Sequence, residues 1–161
     1  MSKIIKGNVV DALLNKDIDY LLHCCNCQNN FGSGIAKEIK ERVPSAYDVD
    51  KKRHVLSDGE LLGHCSIDYK TGVVNIYAQE FYGYYGDWFK QRSRQVNYGA
   101  LSSSLMFFIN QHNNGSGRLG NTVGLPYKFG SDRAGGDWDT VKEIVEEMLE
   151  LNGFDVVWYK L

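Results

Sequence analysis

Two stretches of this chain repeat one arrangement: an apolar run, a loop dense in glycine, and then an amphipathic helical pattern. In the first, His23-Cys24-Cys25-Asn26-Cys27 leads into Gln28-Asn29-Asn30-Phe31-Gly32-Ser33-Gly34 and a helix. In the second, Val123-Gly124-Leu125 leads through Gly130-Ser131-Asp132-Arg133-Ala134-Gly135-Gly136 into another helix. A helix N-terminus carries unpaired N–H groups and a partial positive charge, and glycine lets a phosphate approach the backbone. In open α/β sheets ligands bind outside the carboxyl ends of the strands. Either loop alone is equally well a tight turn. Two of them, each with a strand before and a helix after, point to a phosphate or nucleotide site able to clamp two phosphates. Neither is a P-loop, since no Gly-Lys-Ser/Thr follows, and neither carries the full dinucleotide fingerprint.

The rest of the chain alternates in the same way. Ile4 to Lys6 reads as a short strand and Asp11 to Asn15 as a helical turn. Ile18 to Asn26 is a buried strand. Gly34 to Val43 is a helix with Ile35, Ala36, Ile39 and Val43 on one face and Lys37, Glu38, Lys40 and Glu41 largely outside. Pro44 opens a further helix, and strands follow around Gly63 to Asp68 and Gly72 to Gln79. Phe81 to Gln95, rich in glycine, tyrosine and charge, reads as a long loop or insertion. Asn97 to Asn113 and Asp137 to Asn152 are helices, and Thr122 to Leu125 and Phe154 to Tyr159 are strands. Strands separated by helices imply a sheet covered on both faces. The fold class is α/β, with one domain spanning 1–161.

Composition narrows the partners. The formal charge of -2 lacks the basic excess of a general nucleic-acid binder, so no stable nucleic-acid binding is expected. Lys90, Arg92 and Arg94 form a modest basic cluster beside Asp87. No apolar run approaches the roughly 20 residues that cross a bilayer. The start shows no secretory signal, and no membrane association is expected. Cys24, Cys25, Cys27 and Cys65 are clustered rather than spaced as a disulfide framework, which reads as cytoplasmic thiols. Zinc held by these cysteines with His23 or His64 is the alternative, but no second pair has ligand spacing. No metal and no cofactor are expected.

Several segments together resemble macro domains, within them the branch of yeast-type ADP-ribose-1''-phosphate phosphatases. They are Ile4-Ile5-Lys6-Gly7-Asn8-Val9, His23 to Cys27 with Phe31-Gly32-Ser33-Gly34-Ile35-Ala36, Leu125-Pro126-Tyr127, Gly135-Gly136-Asp137-Trp138 and Val157-Trp158-Tyr159-Lys160-Leu161. The resemblance spans nearly the whole chain and is weakest over Lys51 to Gln95. It implies a three-layer α/β/α macro domain with a mixed central sheet, and ADP-ribose or ADP-ribose-1''-phosphate as ligand.

The resemblance also assigns residues. Asn8, where many relatives have Asp, and Val9 fall where the adenine is read, and Tyr159 where an aromatic flanks it. Asn8 as a helix cap and Tyr159 as a core tyrosine are the alternatives. Phe31, Gly32, Ser33, Gly34 and Ile35 match the diphosphate loop. Gly130, Ser131, Asp132, Arg133, Ala134 and Gly135 match the loop covering the other side. Asn26 falls beside the distal ribose. Asp137, Asn26 and His23 are the catalytic candidates, with Asp137 orienting or activating water. Their alternatives are an ordinary helix cap for Asp137 and a core histidine for His23, which strand alternation puts on the face opposite Asn26. Asp87 and Asp132 are further carboxylates of interest. Two departures bear on the chemistry. Relatives that cleave ADP-ribose from glutamate or DNA use a lysine where this chain has Tyr77-Ala78-Gln79-Glu80, and an aspartate that aligns near Ala134. Phosphate removal from ADP-ribose-1''-phosphate is therefore the expected activity. The alternatives are a non-catalytic ADP-ribose reader and a hydrolase acting on modified protein or nucleic acid through other residues.

Overall fold

The two most apolar strand segments are buried on both faces, which only a covered sheet interior permits. The structure, a computed structural model, describes residues 2–32, 34–56, 61–79, 96–115, 119–131 and 135–161. The expected insertion at Phe81 to Gln95, with Asp87, lies outside them.

Six strands form one sheet: β1 (Lys3–Lys6), β2 (Tyr20–Asn26), β3 (Cys65–Asp68), β4 (Val73–Gln79), β5 (Thr122–Pro126) and β6 (Asp155–Lys160). Their spatial order is β1-β6-β5-β2-β4-β3. Every pairing is parallel except β3 with β4, so the sheet is mixed. Among the described residues five helices connect them: α1 (Val9–Leu14), α2 (Gly34–Arg42), α3 (Pro44–Leu56), α4 (Tyr98–Asn114) and α5 (Trp138–Leu151).

Strand alternation sorts the core into two layers. On one face Tyr20 and Leu22 of β2 and Val74, Ile76 and Ala78 of β4 pack with Leu101, Leu105 and Phe108 of α4 and Val141, Val145 and Leu149 of α5. On the other face Leu21, Cys25, Val73 and Tyr77 pack with Val10 and Leu13 of α1, Ile39 of α2 and Ala46 of α3. The result is the expected three-layer α/β/α arrangement. Trp158 of β6 is fully buried, and its indole N–H donates to Glu146 at 2.7 Å while Trp138 meets it edge-on at 4.9 Å. Among the described residues no helix is long and apolar enough to cross a membrane.

Two local details differ from the sequence expectation. α1 begins at Val9, earlier than Asp11, because Asn8 supplies a side-chain cap to the N–H groups of Val10 and Asp11. In β2 the register with β4 shifts between Cys25 and Asn26, so the pleat is interrupted just before the loop that follows.

Candidate functional site

The parallel strands β1, β6, β5 and β2 all end at one edge, and the loops leaving that edge enclose a cleft of about 460 Å³. Asn8, Val9, Gly34, Ile35 and Tyr159 line it, so five of the expected ligand residues converge. Among the described residues Gly7, Glu38, Pro126, Tyr127, Lys160 and Leu161 also line it, and none of these was assigned a ligand role from the sequence. A larger depression of about 740 Å³ adjoins it across Gly7 and Tyr159, with Lys3, Asp11 and Asp155 in its wall. Gly34 and Ile35, at the end of the first loop, line the smaller cleft and not the second depression, which points to the smaller cleft as the site.

The first loop is held from within. Asn26 Oδ1 accepts from the N–H of Gln28 at 2.9 Å and of Asn30 at 3.3 Å, while its Nδ2 donates to the carbonyl of Asn30 at 2.8 Å. Asn26 thus closes the loop upon itself. Asn29 sits at φ 53, in the left-handed region, and its amide donates to Asp50 on α3. The Gly32 N–H is taken by the side chain of Asn30 at 2.8 Å. Gly34, at φ +58, starts α2 in a conformation that a side chain would strain. Ser33 lies outside the described residues.

Beneath that loop runs a buried polar network on the α1–α3 side of the sheet. Asp50, His23 and Asn75 are each 0% exposed. Tyr77 donates to Asp50 at 2.5 Å, Ser66 and Tyr77 share a hydrogen bond at 2.8 Å, and Asn75 donates to Ser66 at 3.0 Å. Asn75 Oδ1 meets His23 Nε2 at 2.7 Å, which closes the chain of bonds. Burial drives the His23 pKa down to about 4 against the opposing influence of Asn75 and Asp50, so the ring is neutral near pH 7. Phe31, itself buried, covers His23 edge-on at 5.3 Å and packs on Tyr47 at 5.0 Å. His23 and Phe31 are therefore core residues under the loop, not part of the cleft lining. The Cys25 thiol is buried beside His23 and its pKa is pushed well up, which removes it as a nucleophile.

The second loop runs from the end of β5 to the start of α5. Ser131 donates its N–H to Lys128 at 2.8 Å and Gly136 donates to Gly130 at 3.0 Å, which ties the loop's two ends together. A Cβ on Gly136 would stand 2.5 Å from the Gly130 carbonyl oxygen, so the closure requires glycine there. Asp132, Arg133 and Ala134 lie outside the described residues. Asp137 is the N-cap of α5: its carboxylate accepts from the Thr140 N–H at 3.0 Å and the Thr140 hydroxyl at 2.8 Å. Those bonds hold the exposed carboxyl below its ordinary pKa, the hydroxyl contributing most.

Asn8 has both ends of its amide engaged. Its oxygen caps α1, accepting from Val10 N at 2.8 Å and Asp11 N at 3.0 Å, and its nitrogen donates to Glu38 Oε2 at 3.0 Å. Arg42 grips the same Glu38 oxygen at 2.7 Å and Asp11 at 2.7 Å. At the opposite wall, Lys160 lies over the Tyr127 ring at 4.9 Å.

No family model matches the sequence. The macrodomain of Mycobacterium tuberculosis DarG superposes on 99% of this chain and 97% of its own, with a TM-score of 0.72 at 21% identity. This chain has the macrodomain fold. Thermosipho africanus DarTG, solved in complex with ADP-ribose, matches this macrodomain over 99% of its length and 41% of the DarTG chain, with a TM-score of 0.73 at 12% identity. In sequence, 47 residues are 43% identical to an ADP-ribose 1''-phosphate phosphatase of Aspergillus oryzae. That match takes in 29% of this chain and only 22% of the fungal protein.

Proposed function

We propose that this macrodomain binds ADP-ribose in the 460 Å³ cleft and removes the terminal phosphate from ADP-ribose-1''-phosphate. The observation that carries the reading is a cleft at the strand ends, lined by Asn8 and Tyr159, by Gly34 and Ile35 where the first loop opens α2, and by Pro126 and Tyr127 at the end of β5, where the second loop begins. Such a site supplies N–H donors and helix dipoles to a diphosphate without demanding a basic protein. The ADP-ribose complex of DarTG and the short match to a fungal phosphatase support the choice of ligand and of reaction.

In the reaction, a water oxygen attacks the terminal phosphorus, the bond to the ribose O1'' breaks, and that oxygen takes a proton to leave ADP-ribose. We take Asp137, the carboxylate that caps α5 after the second loop, as the candidate for holding the water. With its pKa below the ordinary carboxylate range it is a weak base, so we assign it water orientation and not proton abstraction. Asn26 acts by fixing the first loop, and His23 by holding the strand end beneath it as a neutral ring. The second reading, a reader that binds ADP-ribose without chemistry, is favoured by one fact: both ends of the Asn26 amide and one carboxylate oxygen of Asp137 are already engaged within the protein.

A phosphate-release assay on ADP-ribose-1''-phosphate, run beside calorimetric titration with ADP-ribose, separates the two. Binding with release supports the phosphatase, binding without release leaves the reader, and no binding removes both.

A further inference from the structure

We infer that Glu38, and not Asn8, is the residue that selects the base in the cleft, by presenting one carboxylate oxygen to an exocyclic amine. The inference rests on the proposed nucleotide site and deepens it.

The cleft end bounded by Val9, Ile35 and Tyr159 offers two aliphatic side chains and an aromatic ring, a lining suited to a flat heterocycle. A base there needs a polar group to read its edge. Asn8 has no acceptor left for an exocyclic amine, because its oxygen is spent on two helix N–H groups, while its nitrogen donates to Glu38. Those bonds do something else: with Arg42 they fix Glu38 through Oε2 alone. Neither donor engages Oε1, and the side chain keeps 29% of its surface exposed where it lines the cleft. Arg42 also offsets the charge that a carboxylate would otherwise set against an anionic ligand.

The stereochemistry of the single acceptor decides the base. An amine such as adenine N6 donates to one oxygen. Guanine's N1–H and N2–H pair needs two acceptor oxygens side by side, and Oε2 is occupied from two directions. Hypoxanthine places a carbonyl oxygen where adenine has its amine and meets the carboxylate with repulsion. A mismatched donor and acceptor in a recognition pair of this kind discriminates by roughly tenfold or more.

The test is calorimetric titration of the wild type and of Glu38→Gln with ADP-ribose and with the hypoxanthine counterpart, inosine diphosphate ribose. A glutamine keeps an oxygen for Asn8 and Arg42, so the fold and the anchoring persist, and turns an amide N–H₂ toward the base. The wild type should prefer ADP-ribose by about tenfold. Glu38→Gln should lose about tenfold on ADP-ribose and bind the inosine compound at least as well as it binds ADP-ribose. An unchanged preference in Glu38→Gln overturns the role of Glu38 while the nucleotide site stands. Failure of the wild type to bind either compound overturns the site and this inference together. Circular dichroism of the variant, with thermal midpoint within a few degrees of the wild type, certifies that the comparison is between folded proteins.

Discussion

Asp137 and His23 show how the same residue type that suggests catalysis is used by the fold. Asp137 caps α5 through Thr140, so two substitutions are informative together. Asp137→Asn keeps a side-chain acceptor for the cap, whereas Asp137→Ala removes it. If the carboxylate orients water, both should lower phosphate release at least tenfold while ADP-ribose binding is retained, and only Asp137→Ala should lower the thermal midpoint. Its depressed pKa also fixes a sign: the charge contributes stability above the ordinary carboxylate range and loses it as pH falls through the depressed value. The stability gap between wild type and Asp137→Ala should therefore shrink on acidification. His23 works in the opposite direction along the chain of cause. Burial lowers its pKa from 6.5 to about 4, so the unfolded chain takes up a proton first. Stability should fall as pH drops from about 6.5 toward 4, by a full amount on the order of 3 kcal/mol. Urea titrations across that window should show His23→Gln losing that segment of the pH dependence, even if its stability near pH 7 is lower.

At the scale of elements, the two loops differ in how they are fixed, and that difference is testable. The second loop depends on the Gly136 N–H reaching the Gly130 carbonyl, with Val96 Cγ1 only 2.8 Å from where a Cβ would sit. Gly136→Ala should cost about 1–3 kcal/mol through overpacking and, by opening the loop, weaken ADP-ribose binding at least tenfold. Thermal unfolding and titration read the two effects separately, and an alanine variant with wild-type affinity would show that loop closure does not matter to binding. These elements were largely legible in the sequence, because β2, β4, α4 and α5 carry strong periodicities and the glycines mark the loop ends. Leu101, Leu105, Phe108 and Ile109 recur at helical spacing along α4 and are all buried. What could not be read was long-range pairing. Glu38 looked like one more charge on the outer face of α2, since local spacing shows Arg42 four residues on but not Asn8, thirty residues earlier. Asp50 was missed for the same reason: its partners Asn29 and Tyr77 come from a loop and a strand far apart in sequence. Phe31 entered the ligand set only through the resemblance to a diphosphate loop, and its ring turns inward onto His23 and Tyr47.

For the molecule as a whole, the two loops belong to opposite layers of the core. The first hangs from the α1–α3 side through Asn29, Asp50 and Tyr77, and the second rests on the α4–α5 side against Val96 and Val141. A diphosphate spanning both loops would join the layers across the sheet, so binding should appear as global stability. At a ligand concentration of 100 Kd the gain is about 2.7 kcal/mol. For a domain of this size each kcal/mol moves the thermal midpoint by about 2–4 °C, which gives a rise of about 5–10 °C with ADP-ribose. Asp50→Ala provides the critical comparison. It strips Tyr77 and Asn29 of a buried acceptor, which should destabilise the free protein by about 2–4 kcal/mol. Leu149→Ala, in the last turn of α5, should destabilise by a similar 2–5 kcal/mol through a cavity, without touching either loop. If Asp50 organises the phosphate loop from below, the ADP-ribose-induced rise at a fixed ligand concentration should be reduced in Asp50→Ala and preserved in Leu149→Ala. Equal rises in the two variants would mean that Asp50 serves the core alone, and that the first loop takes its binding shape from Asn26 and the glycines without support from the layer beneath.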